Sequence, residues 1–415
     1  MQAHLFGRLT PALAARRRLL EAVRPIERTE EIAVGRAAGR VAAEAVHAPA
    51  AVPGFARADW DGYAIRSADV RSARAGRPVS LRVVGEVFAE SRFRGRLRPG
   101  EAVAIATGGA LPRGSDSVVI FEESERSGAT VRVRAPARPG DRVAAVGSDI
   151  APGETLVRPG TLLGPALLGA IAAAGRRSVR AFARPIVTVL PNGTELRSPG
   201  ERLRAGEIYE SNNASLVAAI AACGAEARPL APVPDDPRAL ERALRAAVAA
   251  SDLVVATGGS SVGERDHLPR LFPKIGRLLF HGIAVRPGKP TLAATAGRKI
   301  LLGLPGHPSS CLLNMFWLGA PALRRLARQP GPGWTSRRAR AVRAIPPPGQ
   351  GFARVVPLRR LGDRVWPTWR GSAAITSLTA ATAFALLPAG APGIRAGGTL
   401  TVFALEPGLA ASPNV

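Results

Sequence analysis

The stretch "SDLVVATGGSSVGERDHLPRLF", residues 251–272, decides how the chain folds. Its apolar run, Leu253-Val254-Val255-Ala256, stops at glycines and small hydroxyls, and Glu264, Arg265 and Asp266 follow at once. A short unbroken apolar run of this kind reads as a strand buried on both faces, as in a parallel sheet covered by helices. Outward from it, "PIVTVL", "AEARPLAPV" and "RKILLGL" are further strand runs. Between and after them lie "SNNASLVAAIAACG", "DDPRALERALRAAVAAS" and "PSSCLLNMFWLGAPALRRLA". These read as helices, with Ser, Asn or Asp at the start, Pro at the first position and Gly at the stop. Strands alternating with helices over residues 185–328 predict a three-layer αβα domain on a parallel sheet.

The remainder divides around that domain. Residues 11–47 have helical spacing, and "PAAVPGFARADWDGYAI" is rich in turn residues. "VSLRVVGEVF", "EAVAIATG", "DSVVIFEE" and "ATVRVRAP" are short β-type runs split by Pro/Gly turns. A helix ends at Gly175, residues 329–340 read as a linker, and 341–406 return to short strands. The expected organisation is a discontinuous N-terminal linker domain (1–50 with 148–178) and a β-rich insert (51–147). The α/β domain (179–328) and a small C-terminal β-barrel-like domain (332–410) complete it.

Composition narrows the function. With 57 Lys+Arg against 31 Asp+Glu the net charge is +26, which invites a nucleic-acid reading. The excess is scattered arginine, only Lys274, Lys289 and Lys299 being lysines, and no aromatic–basic alternation suited to stacking bases is present. Nucleic acid is therefore not an expected partner, although anionic ligands are. Cys223 and Cys311 form no CxxC pair or disulfide framework, which fits a reducing compartment. No segment reaches the ~20 apolar residues of a membrane span, and a cytoplasmic protein is expected.

In an open α/β sheet, ligands bind outside the carboxyl ends of the strands. Three loops leave strands there: "PNGTEL", "TGGSSVGERD" and "PGHPSS". Glycines let backbone N–H groups approach an anion, and a helix N-terminus adds positive potential, so a phosphate-bearing ligand is expected. The middle loop fits neither GxxxxGK[ST] nor GxGxxG, which supports neither an ATPase nor a dehydrogenase. Glu195, Asp266, Asp235 and Asp236 stand beside these loops, and Asp61 lies in "DWDGYAI". Carboxylates near a phosphate require a divalent cation between them, and Mg²⁺ takes one or two carboxylates plus phosphate oxygens. "VRPGKP", Arg286 to Pro290, reads as a rigid cationic loop for an oxyanion. Plainer readings compete: a tight turn for the glycines, a helix cap for Asp236, a turn at Asp61-Gly62 and an edge position for His281. No nucleophile–base pair and no Zn cluster can be assigned.

"DGYAIR", "TGGALPRGSDSVV", "GSDIAPGETLVRPGTLLGP", "ARPIV", "LPNGTEL", "GEIYESNNASL", "TGGSSVGERD", "VRPGKP" and "GLPGHPSS" occur in this order. From about residue 13 to 406 the set resembles the molybdopterin molybdenumtransferase family, which includes the MoeA-like proteins and the gephyrin E-domain. The resemblance implies a homodimer of four-domain subunits. It implies an active cleft between the α/β domain of one subunit and the β-rich second domain of the other. It further implies a Mg²⁺-dependent reaction in which adenylylated molybdopterin is cleaved, molybdate is inserted into the dithiolene and AMP is released. A molybdopterin adenylyltransferase would act upstream and molybdoenzyme apo-proteins downstream.

Carried onto this chain, the resemblance gives catalytic roles to Asp61, Glu195, Asp266 and Lys289, and substrate contacts to Thr107, Gly258, Gly259, Ser261, Gly263, Arg286, Pro305, Gly306, Pro308 and Ser309. Metal ligands would come from Glu195, Asp266 and either Asp235 or Asp236. The chain departs from the family pattern at Ala58-Asp59-Trp60, at Pro191-Asn192-Gly193-Thr194, at His281, at His307 and in "SLTAATAFALLP". These departures define an alternative: a carrier or maturation chaperone that binds the pterin without turnover.

Overall fold

The computed structural model describes residues 9–261 and 266–410. The chain packs into two units: one holds the N-terminal residues to Glu30, residues 39–41 and everything after residue 180, and the other holds 31–38 and 42–180.

The larger unit is built on a six-stranded sheet. Its strands are β1 (Ile186–Pro191), β2 (Glu226–Pro229), β3 (Leu253–Thr257), β4 (Arg277–His281), β5 (Leu292–Ala296) and β6 (Lys299–Leu304), in the order β2-β1-β3-β6-β5-β4. The first four in that order are parallel. At the far edge β5 runs antiparallel to both β6 and β4, so the sheet is mixed where the sequence predicts a parallel one. Side chains alternate faces along a strand, and the core divides accordingly. Leu253 and Val255 pack with Leu216 and Ile220 of helix α1 (Asn212–Ala222) and with Cys223, which caps its C-terminus. Val254 and Ala256 pack with Leu240 and Leu244 of α2 (Pro237–Ala250) and Leu271 and Phe272 of α3 (Leu268–Ile275). Both faces are therefore covered, as the unbroken apolar run requires.

In the same unit, strands 353–361, 364–367, 334–341, 399–405 and 383–387 pair in that order, and the last pairs back to the first, closing a small barrel. Trp334–Ala341 is an eight-residue strand of that barrel, which corrects the linker reading of 329–340. Its signal is weak because the inward positions include Ala339 and Ala341 while arginines face out; pairing with Thr399–Leu405 sets it.

The smaller unit carries a second six-stranded sheet that includes Val79–Val87, Glu101–Ile105, Ser117–Ile120 and Thr130–Val133. Gly62–Ile65, which reads as turn-rich, is a fully buried strand between 101–105 and 117–120. The second half of the expected 11–47 helix is also corrected. Ala12–Ala22 is helical, but 29–33 is extended, Val34–Arg36 is a 3₁₀ turn and Val46–His47 pairs with 155–157. Gly35 and Gly39 disfavour a helix there by about 1 kcal/mol each. Val34, Ala37, Ala42 and Val46 instead reach a core with Leu163 and Ile171. Among the described residues no helix is long and apolar enough to cross a membrane.

Candidate functional site: two adjoining clefts of opposite charge

Strand register assembles the site. Pro191 pairs with Thr257, and Thr257 with Leu304, so the carboxyl ends of β1, β3 and β6 stand abreast. β2 and β3 flank β1 on opposite sides, which makes the β1–β3 boundary the point where connections diverge and a crevice opens. The loops beginning at Asn192, Gly258 and Pro305 emerge there together.

Asn192 ties them. Its N–H donates to the Thr257 carbonyl (2.8 Å), and its Nδ2 to the carbonyls of Val233 (3.1 Å) and Pro234 (3.3 Å). Gly258 (φ +81°) and Gly259 (φ +56°) are left-handed, and a Cβ at either would run into Asn192, at its carbonyl or its Oδ1 respectively. The 305–308 loop is held by Asn212 Nδ2, which donates to the Gly306 carbonyl (2.9 Å).

These loops enclose a cleft of about 750 Å³ whose lining includes Glu195, Glu210, Asp235 and Asp266. Gly258, Gly259, Ser261, Gly306 and Pro308 line it as well, and among the described residues no lysine or arginine does. Glu210, next to the start of α1, is a lining acid that the sequence reading did not single out. Burial raises its pKa, and the amides of Asn213 (2.9 Å) and Asn212 (2.8 Å) partly offset this. Its signal was a Glu two residues ahead of an Asn-Asn helix start, a position where a carboxylate can satisfy free amides.

The two aspartates before α2 differ. Asp235 lines the cleft and exchanges hydrogen bonds with Thr194, whose Oγ1 accepts from Asp235 N (3.0 Å). Asp236 caps α2, accepting from Ala239 N at 2.6 Å. Of the two, Asp235 lines the cleft, while the capping bond engages a carboxylate oxygen of Asp236. Asp236→Ala should cost about 1 kcal/mol of stability in thermal unfolding, with catalytic parameters at wild type. Ser309 is fully buried, its hydroxyl donating to the Ala374 carbonyl and its amide to Ser372 O (3.1 Å). Gly263 lies outside the described residues.

A second cleft of about 480 Å³ adjoins the first, sharing Pro290, Pro305 and His307. Its lining carries Arg286, Lys289 and Arg354 and, among the described residues, no acid. The cationic loop is fixed from the barrel: strand Ile283–Arg286 pairs in parallel with 353–361, setting Arg286 beside Arg354. The Arg286 guanidinium lies over the Phe352 ring, 4.2 Å from its centroid. Gly288 (φ +114°) closes the turn where a Cβ would meet the Asn314 amide. Arg354 has no local signal, since only pairing across 68 residues of chain (286 to 354) brings it here.

His281 ends β4. Burial lowers its pKa from 6.5, partly offset by backbone hydrogen bonds at Ser260 and Ser261 and by the Asp266 charge. A depressed folded pKa means the unfolded chain binds the proton more readily, so this stability is present above pH 6.5 and lost as pH falls through the folded value. Between pH 8 and 5, the melting temperature of wild type should fall more than that of His281→Gln.

Asp61 and Thr107 belong to the smaller unit. Asp61 Oδ1 accepts from Thr107 N (2.7 Å) and Oγ1 (2.9 Å), and the Thr107 amide is the main cause of its lowered pKa. The cysteines are buried, with burial pushing Cys223 up to about 12 and Cys311 higher still, so neither is an activated thiolate.

An α/β sheet with an acid-lined crevice, followed by a closed barrel and joined to a β-rich unit, defines a multidomain MoeA-like architecture. A family model for the "MoeA N-terminal region (domain I and II)" matches residues 10–175, and one for a "Probable molybdopterin binding domain" matches 188–325. The molybdopterin molybdenumtransferase of Bacillus subtilis is 31% identical over 390 residues, 91% of this chain and 90% of that protein. That of Nostoc sp. is 33% identical over 302 residues, 72% of this chain and 69% of that protein. A molybdopterin biosynthesis MoeA protein from Pyrococcus horikoshii aligns with a TM-score of 0.80 at 33% identity, over 96% of this chain and 100% of that one. The chain belongs to the molybdopterin molybdenumtransferase family, whose members are transferases of molybdenum-cofactor biosynthesis.

Proposed function

We propose that this protein is a molybdenum insertase: it cleaves adenylylated molybdopterin, places molybdate on the dithiolene and releases AMP. The observation that carries the proposal is the pair of adjoining clefts, lined among the described residues by four carboxylates in one and three cations in the other. An acid-lined cleft alone would repel a phosphoanhydride. Among the described residues no three acidic, His or Cys side chains converge on one point. A cation bound there would draw its remaining ligands from phosphate and water, the habit of Mg²⁺, so the donor set fits that ion. Glu195, Asp235 and Asp266 are the residues that would hold it. When bound, Mg²⁺ neutralises the phosphoryl oxygens and makes AMP a better leaving group.

The chain's own groups do the rest. Glycines 258 and 259 let the loop approach the phosphate closely. Arg286, Lys289 and Arg354 attract and orient molybdate, a dianion, at the boundary between the clefts. The Asp61–Thr107 pair holds a preset carboxylate within the insert domain. The same proposal includes a cytoplasmic homodimer, a molybdopterin adenylyltransferase upstream and molybdoenzyme apo-proteins downstream. It also includes four domains over 1–50 with 148–178, 51–147, 179–328 and 332–410; separate apolar clusters in the 31–180 segment support the finer division.

The test is AMP release from adenylylated molybdopterin by purified protein, with Mg²⁺ and molybdate present or omitted. Release that requires both, with active cofactor formed, is the expected result. Tight pterin binding with no AMP release would replace the insertase with a carrier.

A further inference from the structure

The barrel holds a third cavity of about 710 Å³, comparable with the acid-lined cleft. Three arginines, Arg343, Arg359 and Arg370, line it together with Trp366, Trp369 and Thr376, and among the described residues no acid does. Register explains part of the cluster: Arg359 stands directly opposite Trp366 on the neighbouring antiparallel strand, so both project from one face. Arg364 adds a further guanidinium, 5.5 Å from the Trp366 ring centroid. The charge is local as well as general. Residues 332–410 carry ten arginines against two acids, Asp363 and Glu406, a steeper excess than the 57 to 31 of the whole chain. All three arginines are exposed, so their guanidiniums can turn toward an anion in the concavity, and arginine's planar fork suits phosphate. Two indoles in the same cavity offer flat surfaces on which a heterocycle can stack. Trp369 also lines the cationic cleft, so one indole separates the two cavities.

The geometry points to a second ligand site in the barrel that takes a phosphate-bearing planar heterocycle, with the arginines holding the phosphate and the indoles stacking the ring. This does not rest on the insertase reading. Two sources share the chemistry, a nucleoside monophosphate and a pterin phosphate, and AMP and neopterin monophosphate serve as probes for them. Calorimetric titration of each into full-length protein should show binding by at least one. Arg343→Gln/Arg370→Gln should weaken that binding at least tenfold, and Trp366→Leu should weaken it severalfold. Adenosine and neopterin, which lack the phosphate, should bind at least tenfold more weakly than the matching probe. Asp266→Asn, which belongs to the other cleft, should leave this affinity within twofold. The ligand that loses affinity in the arginine variant identifies the source. Absence of binding by both probes would overturn the site, as would affinities unchanged in the arginine and Trp366 variants. Inorganic phosphate binding as tightly as the better probe would overturn the stacking role. AMP release, assayed separately on the same variants, reports on the insertase reading alone.

Discussion

Asp266→Asn and Glu195→Gln should each lower molybdate-dependent AMP release by about 100–1000-fold, the usual effect of removing one preset electrostatic group. Each substitution removes one negative charge and keeps the side chain's shape. Asp266 follows the glycine loop and Glu195 closes the first loop, and both line the cleft beside Asp235. Glu195 is exposed and Asp266 half-exposed, so neither is a core element. Circular dichroism and melting temperature should therefore match wild type. Unchanged AMP release in both variants would remove the acid-lined cleft from the reaction.

Gly258→Ala should cost about 2–5 kcal/mol, combining a left-handed backbone (about 1–2) with overpacking (about 1–3). The clash is with the Asn192 carbonyl, a backbone atom held by the β1–β3 pairing, so it cannot be relieved by turning a side chain. The loop must move instead, and a shift of about 1 Å in a positioned group can cost on the order of 100-fold in rate. A lowered melting temperature together with lost turnover is the expected result. Gly306→Ala is the matched control, since its added Cβ would sit 3.4 Å from Gly258 Cα, within ordinary contact. Equal behaviour of the two variants would contradict the argument.

The α/β sheet was legible because β3 is buried on both faces, and that condition writes itself into four consecutive apolar residues. The three loops at strand ends were legible for the same reason, their glycines marking where the strands stop. Register was not. Nothing near Arg354 announces that it stands beside Arg286, and Ala339 and Ala341 are too small to declare a strand. Gly62–Ile65 was hidden differently: its glycine reads as a turn but is required by the Val119 carbonyl packed against it. Asp235 and Asp236 are chemically alike in sequence, and only the capping geometry separates them. Ser309 had the right chemistry in the right loop, yet its hydroxyl turns toward Ala374.

The pairing of Ile283–Arg286 with the barrel strand has a consequence for how the chain can be divided. A fragment ending after the last helix of the α/β domain would keep the carboxylates and the Asn192 hydrogen bonds that tie the loops. It would lose the neighbouring strand that sets Arg286 and would lack Arg354 altogether. Half of the charge pattern is thus self-contained and the other half is borrowed, so a lineage could inherit the acid-lined crevice alone but would acquire its cationic neighbour only together with the barrel.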